Sequence, residues 1–70
     1  MFTINDFRKN LTRERAKKWL SAYELSLRIG KDKGYISGIE NRYIPSLTTI
    51  FDICEVLEIE PKTLFDKKEK

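Results

Sequence analysis

Apolar residues recur along the chain with the three- and four-residue spacing that places side chains on one face of an α-helix. Ile4, Phe7 and Leu11 form the first such stripe. They predict a helix over about residues 5–18, whose remaining positions are mostly charged and face solvent. Trp19 follows this helix, and we expect its ring to lie over the core as a lid.

Two short helices separated by a glycine are predicted next. Ser21 and Glu24 have the spacing of a capping box, so a second helix starts there and stops at Gly30. Asp32 is the expected cap of a third helix. The apolar positions of this third helix are Tyr35, Ile36 and Ile39. Two short helices joined by a turn of about three residues are the pattern of a helix-turn-helix.

A fourth and a fifth helix are predicted in the rest of the chain. Ser46 is a suitable cap for the fourth, and Pro61 suits the first turn of the fifth. The buried stripe of the fourth helix consists of Leu47, Ile50, Ile53, Cys54 and Leu57. The pattern therefore predicts an all-α fold, a compact five-helix bundle in one domain over residues 1–70. Its ordered core covers about residues 4–65, and residues 66–70 form a charged, frayed tail.

The composition fits a small globular protein and removes most catalytic chemistry. The 70 residues suffice for one domain, with 40% apolar and 36% charged residues. Because histidine is missing and cysteine occurs once, the usual zinc sites, nucleophile–base pairs and general-base histidines are excluded. The three glycines form no phosphate-binding loop. We therefore expect no enzyme activity, no cofactor, no metal site and no small-molecule substrate.

The same composition predicts a cytoplasmic location. No segment has the apolar block of a signal peptide or a membrane span, so no membrane partner is expected. Cys54 cannot form an internal disulfide, which favours a reducing compartment. Its position on the apolar stripe of the fourth helix predicts an inert core thiol.

Charge is unevenly distributed along the chain. Residues 1–43 contain ten Lys or Arg against five Asp or Glu, a formal charge of +5. Residues 44–70 contain four against six, a charge of −2, so the total is +3. A basic part of this kind is typical of a module that binds a polyanion, although a lysine-rich, well-solvated surface would have the same composition.

Several short segments, taken in order, resemble the XRE-type family of phage repressor and Cro-like helix-turn-helix proteins. They are LSAYEL at 20–25, IG at 29–30, YIS at 35–37, IEN at 39–41 and PSL at 45–47. The run at 34–37 is most similar to bacterial regulators of the SinR kind. The resemblance spans about residues 4–65. It implies a bundle whose third helix enters the major groove of DNA, where base pairs present distinct donor and acceptor patterns.

The resemblance implies two sets of DNA-contacting residues. Lys33 would read a guanine edge or, with equal weight, contact a phosphate, and Tyr35 would either pack or contact a phosphate. The set expected to read bases is Lys33, Gly34, Ser37 and Gly38. The set expected to bind the DNA backbone is Ser21, Tyr23, Lys31, Tyr35, Asn41, Arg42 and Tyr43.

Some positions depart from the family pattern. Ala22 stands where the family commonly has a phosphate-binding glutamine, and Arg42 where it usually has glycine. Gly34 and Gly38 stand where relatives often carry long polar side chains. The two glycines either let the third helix approach DNA, or a partner helix, closely, or reflect weak selection on a surface. We therefore expect only modest base reading by this helix.

The resemblance implies one contact within the domain, and the apolar pattern of the last two helices predicts another between partners. Arg15 and Glu40 are expected to form a structural salt bridge between the first and third helices, the alternative being two unrelated surface charges. The residues expected at a homodimer contact, unless they serve the core, are Phe51, Val56, Leu64 and Phe65.

The expected function is sequence-specific binding of double-stranded DNA by a transcriptional regulator. It would act as a repressor that occupies a two-fold operator as a homodimer, because one small module contacts too few base pairs. The alternative is a protein-interaction module on the same fold, such as an antitoxin, an anti-repressor or another inhibitor, with weak or no DNA binding. Ala22, Gly34 and Gly38 favour that alternative.

Overall fold

The computed structural model describes residues 1–67, and within them the chain forms five α-helices and no strand. The helices are α1 Ile4–Lys17, α2 Ala22–Arg28, α3 Tyr35–Asn41, α4 Leu47–Leu57 and α5 Pro61–Leu64. The predicted all-α five-helix bundle is confirmed. Part of the expected tail, residues 68–70, lies outside the described residues.

Capping boxes set the starts of α1 and α2. The Thr3 hydroxyl accepts from the backbone N–H of Asp6, whose carboxylate accepts from the Thr3 N–H at 2.9 Å. Ser21 and Glu24 make the same reciprocal pair at 3.0 Å in each direction, as the sequence predicts. Backbone hydrogen bonds from Thr3 and Ser21 hold the pKa of each carboxyl below its ordinary value.

The third helix starts later than expected. Gly34 precedes α3 and makes no side-chain cap, so the expected cap at Asp32 is wrong. The backbone carbonyl of Asp32 accepts from the Tyr35 N–H at 3.0 Å, which closes a turn before the helix. Gly30 has a φ of +76° and ends α2, as predicted. The connection from α2 to α3 therefore covers residues 29–34.

All five helices contribute side chains to one core. Helix α3 packs against α1 and α2, and α5 packs against α1 and α4. The buried apolar residues are Phe7, Leu11, Leu25, Ile36, Ile39, Ile50, Ile53, Cys54, Leu57 and Leu64. Burial of this set supplies the main driving force for folding.

Three residues expected on a buried stripe or over the core lie at the surface, and Ile4, the first residue of α1, is 37% exposed. Leu47 is 62% exposed because it is the first residue of α4, at the end of the buried stripe. Trp19 is 91% exposed, and its φ of +60° closes the turn after α1. Leu20, the next residue, packs against the core instead, so the predicted lid is wrong.

The residues expected at a dimer contact divide into two groups. Phe51 and Phe65 are exposed, whereas Val56 packs partly buried against the core. Leu64 is fully buried, so of its two expected uses it has the one in the core. It is the inward-facing residue of α5, and the amide of Asn10 also binds its carbonyl oxygen at 2.8 Å.

The chain after α5 is held against α1. The buried Asn10 amide donates to the carbonyl oxygens of Leu64 and Asp66 at 2.8 and 2.7 Å. The Lys67 ammonium lies 3.2 Å from the Asp6 carboxylate. Asp66 and Lys67, the first residues of the expected tail, therefore both contact α1.

Candidate nucleic-acid interface

A fully buried serine joins α2 to α3. The Ser26 hydroxyl donates to the carbonyl oxygen of Ala22 at 2.8 Å and accepts from the N–H of Ile36 at 2.9 Å. These bonds satisfy a buried amide in the first turn of α3 and fix that turn against α2. Sequence reasoning gave Ser26 no role, although a small polar residue beside Leu25 on the inward face was the available signal.

An ion pair fixes the other end of α3 to α1. The Arg15 guanidinium donates to the two carboxylate oxygens of Glu40 at 2.8 and 3.0 Å, a bidentate pair. A third bond runs to the carbonyl oxygen of Leu20 at 2.9 Å. The Arg15 and Glu40 side chains are only 16% and 11% exposed, so solvent screens this pair weakly.

A second arginine of α1 binds the carboxyl end of α3. Nε of Arg8 donates to the carbonyl oxygen of Ile39 at 3.0 Å, and Nη2 donates to that of Tyr43 at 3.3 Å. Arg8 was expected among the solvent-facing residues of the first helix, and it is half-buried. A cation here is favourable because the last carbonyls of a helix carry a partial negative charge.

The outer side of α3 is open to solvent. Ser37 and Asn41 lie one turn apart and are both exposed, and Lys33 is exposed in the turn before the helix. We call these three residues the recognition face. The Asn41 amide donates to the Ser37 carbonyl oxygen at 2.7 Å, which holds it along the helix. No part of this face packs against the described residues of the bundle.

Two residues expected to read bases from the third helix lie outside it. Lys33 and Gly34 belong to the turn before α3, because the helix begins at Tyr35. A methyl group added at Gly34 would meet nothing within 4 Å, so this position is open. A methyl group added at Gly38 would lie 2.9 Å from Cδ2 of Tyr43. Of the two glycines, Gly38 is therefore the one that a tyrosine ring covers.

Arg42 and Tyr43 form a joined pair after α3. Nη2 of Arg42 donates to the Tyr43 hydroxyl at 3.0 Å, and the guanidinium carbon lies 5.1 Å from the ring centroid. Both residues are exposed, Tyr43 by 57%. This contact orders an arginine that would otherwise be free to move at the surface.

A second cation stacks on a tyrosine at the opposite end of α3. The Lys31 ammonium lies 5.3 Å from the ring centroid of Tyr35. Tyr35 is half-buried and packs against the core, which is one of the two roles expected for it. Lys31 itself is exposed and adds positive charge beside the recognition face.

The charge around the recognition face is positive. Lys31, Lys33 and Arg42 are exposed cations along the connection before α3 and the loop after it. The neighbouring acids are Asp32 and Glu40, and the charge of Glu40 is balanced in its ion pair. A polyanion such as DNA would meet net positive charge here.

The sequence itself carries the pattern of a known family over most of this fold. Residues 6–64 match the family model for helix-turn-helix proteins. The chain belongs to the XRE-type helix-turn-helix family. It is therefore a DNA-binding transcription regulator.

A solved structure gives the same result for this XRE-type protein. It is similar to the restriction-modification controller protein C.AhdI from Aeromonas hydrophila, with 33% sequence identity and a TM-score of 0.82. The match covers 89% of this chain and 96% of that chain, so the two share the fold over nearly their whole lengths. A sequence search among curated proteins found no match.

The amino end of α2 in this XRE-type protein offers less to a phosphate than expected. The Ser21 hydroxyl accepts from the Glu24 N–H, and the Glu24 carboxylate accepts from the Ser21 N–H. A carboxylate therefore occupies part of the position where a phosphate would bind, and it repels an anion. Tyr23 remains exposed in this turn, with its hydroxyl as the available donor.

The rest of the described chain holds little other chemistry for this XRE-type protein. Residues 1–67 contain no group of three metal-ligating side chains, and none of their helices is long and apolar enough to cross a membrane. Cys54 is buried, and burial together with the charge of Glu60 raises the pKa of its thiol. A protonated, buried thiol is a poor nucleophile.

Proposed function

We propose that this regulator binds specific sites in double-stranded DNA with α3 in the major groove, and that it represses transcription by occupying an operator. The observation that carries the proposal is the exposed recognition face on a helix held rigidly from behind. Ser26 fixes the first turn of α3, and Arg15 and Arg8 fix its last turn. A pre-organised helix pays little conformational entropy when it binds.

The chemistry of the surface suits this placement. The major groove is wide enough for an α-helix and presents the donors and acceptors that polar side chains can distinguish. Lys33 would bind a guanine edge or a phosphate, and Ser37 would bond a base edge. Lys31, Asn41 and Arg42 would hold the flanking phosphates, which set the register of the helix on the duplex.

A homodimer would give the regulator a sufficiently long site. We call Ile44, Leu47 and Phe51 the apolar strip, since all three are exposed, Ile44 in the loop at 42–46 and the other two on α4. The strip adjoins an apolar groove of about 240 Å³. The groove is lined by Phe2, Thr3, Ile4, Phe7, Ile44, Pro45, Ile50 and Phe65. An exposed apolar surface of this kind favours self-association, and a two-fold pair would present two recognition faces to one side of DNA.

The structural relative suggests the process. C.AhdI is a restriction-modification controller protein, and the 33% identity to it over most of both chains supports the same role for this chain. A regulator of this kind acts by occupancy and needs no catalytic step.

Selection from random duplexes tests the proposal directly. Purified protein would be mixed with a random duplex library, and the bound fraction sequenced. We expect an enriched inverted repeat with half-sites about 10 base pairs apart, one helical turn of DNA. Absence of any enriched motif would contradict the proposal and favour the protein-interaction module.

A charge-matched pair of variants then tests the surface. The double variant Lys33→Ala with Arg42→Ala should weaken binding to the selected site roughly a hundredfold, since each contact contributes about 1–3 kcal/mol. The control removes the same charge from exposed positions on α1 and α5, Lys9→Ala with Lys62→Ala, and should change affinity less than threefold. Equal losses in both variants would mean that only overall charge matters.

A further inference from the structure

One position at the edge of the exposed side of α3 is covered by a side chain from outside the helix. Gly38 lies beside Asn41 at the edge of the exposed side of α3 and has no side chain of its own. The ring edge of Tyr43 that carries Cδ2 and Cε2 fills this position, 2.9 and 3.2 Å from where a Cβ of residue 38 would lie. DNA bound on the recognition face would lie next to this exposed ring.

We propose that Tyr43 is a specificity-determining residue that reads the 5-methyl group of a thymine through its ring. The inference rests on the proposed function, because it takes α3 to lie in the major groove. It goes beyond that function by moving one base contact from the helix to a residue of the following loop, which sequence reasoning assigned to the DNA backbone.

Tyr43 is held by two hydrogen bonds to its backbone and by one to its hydroxyl. The Tyr43 N–H donates to the carbonyl oxygen of Gly38 at 2.9 Å. Arg8 donates to the Tyr43 carbonyl oxygen at 3.3 Å, and Arg42 donates to the Tyr43 hydroxyl at 3.0 Å. Backbone and side chain are therefore both fixed before DNA binds, as a residue that discriminates bases requires.

The chemistry of the exposed ring selects the ligand. Tyr43 is 57% exposed, and its side chain is apolar carbon apart from the hydroxyl that accepts a hydrogen bond from Arg42. The methyl group of thymine is the apolar feature of the major groove, and apolar side chains recognise it by contact. Burial of one methyl group contributes about a fourfold change in affinity.

Replacement of thymine by deoxyuracil removes that methyl group and nothing else. Each thymine of the selected duplex would be replaced in turn, and affinities measured for the wild type, Tyr43→Ala and Tyr43→Phe. We expect at least one thymine per half-site where uracil weakens wild-type binding about fourfold. Tyr43→Phe should keep this ratio, whereas Tyr43→Ala should bind both duplexes equally.

A matched tyrosine provides the control. Tyr23 is as exposed as Tyr43 but lies on α2, and Tyr23→Ala should retain the wild-type ratio of thymine to uracil affinity. The inference is overturned if no uracil effect depends on Tyr43. It is also overturned if Tyr43→Ala weakens selected and unrelated duplexes by the same factor, which would indicate a phosphate contact.

A variant at Gly38 tests the positioning of the ring. Gly38→Ala adds a methyl group 2.9 Å from Cδ2 of Tyr43 and so displaces the ring, while alanine favours the helix. We expect circular dichroism and thermal stability to be retained and the thymine preference to fall to that of Tyr43→Ala. A retained preference would show that Gly38 does not position the ring.

Failure of the inference differs from failure of the proposed function. If the wild type enriches no duplex at all, the function itself is wrong. If it enriches an inverted repeat whose thymines can all be replaced by uracil without a Tyr43-dependent loss, only the role of Tyr43 is wrong.

Discussion

At the scale of single residues, the fold depends on buried polar groups whose partners lie on other helices. Ser26 is the clearest case, because its hydroxyl is the partner of the buried Ile36 amide. Ser26→Ala would leave that amide without a bond and should lower the free energy of unfolding by about 2 kcal/mol. Urea unfolding followed by circular dichroism measures this.

The control for that substitution lies on the next helix. Ser37→Ala removes the same hydroxyl from an exposed position of α3 and should change the free energy of unfolding by less than about 0.5 kcal/mol. Equal losses in the two variants would contradict a role for Ser26 as the link between α2 and α3.

The ion pair of Arg15 with Glu40 gives a second prediction at this scale. Arg15→Ala leaves a mostly buried carboxylate without its partner and should lower the free energy of unfolding by about 3 kcal/mol. Lys18→Ala removes an exposed partner of Glu58 and should cost less than about 1 kcal/mol. A chemical denaturation series that finds the two losses equal would contradict the structural role of Arg15.

Single residues were predictable from sequence where their contacts are local or follow the family pattern. The capping box of Ser21 and Glu24 spans three residues, so its geometry follows from the helix itself. The bonds of Arg8 to α3, and the ring of Tyr43 over Gly38, depend on how separate segments meet. The periodicity of the sequence does not predict such contacts between separate segments.

At the scale of the helices, the acidic capping residues link stability to pH. The pKa of Glu24 lies below its ordinary value because of hydrogen bonds from Ser21, and that of Asp6 because of bonds from Thr3 and then Lys67. Such groups stabilise the fold fully above their unfolded pKa values, and the contribution is lost as the pH falls through the lower folded values.

Thermal unfolding measured across pH tests this linkage. We expect the melting temperature to fall as the pH drops below about 4.5, the ordinary pKa of a glutamate. Glu24→Gln keeps an acceptor for the cap but removes the titration, so it should flatten part of this fall, and the double variant with Asp6→Asn should flatten more. A double variant with the same pH profile as the wild type would exclude these caps as the cause.

The helices themselves were largely predictable because apolar spacing and caps act within a few residues. All five were expected, and α1, α2, α4 and α5 begin within a residue of the positions that the pattern predicts. The start of α3 was not predicted correctly. Asp32 offered a good cap, but a backbone turn at residues 32–35 precedes the helix instead. Residue propensity favoured a helix that starts after Asp32. The helix that packs on α2 starts at Tyr35 instead.

At the scale of the whole molecule, the apolar strip predicts how the protein assembles. Leu47→Glu with Phe51→Glu places two charges on this exposed surface and should convert a homodimer to monomers in sedimentation experiments. Binding to a full operator should weaken far more than binding to a half-site, because only the full site uses both recognition faces.

A substitution elsewhere on the surface controls for the added charge. Leu27→Glu alters an exposed leucine of α2, outside the strip, and should leave the sedimentation behaviour unchanged. If the wild type already sediments as a monomer at concentrations where it occupies a full operator, the strip is not a stable interface in solution.

Trp19, the only tryptophan of the chain, determines what intrinsic fluorescence can report. Its indole stands in water in the folded protein, so its emission should resemble that of the free amino acid and change little on unfolding. The same exposure makes it a sensor of anything that docks at the turn between α1 and α2. A blue shift on addition of DNA or of a protein partner would place that ligand at this corner of the molecule.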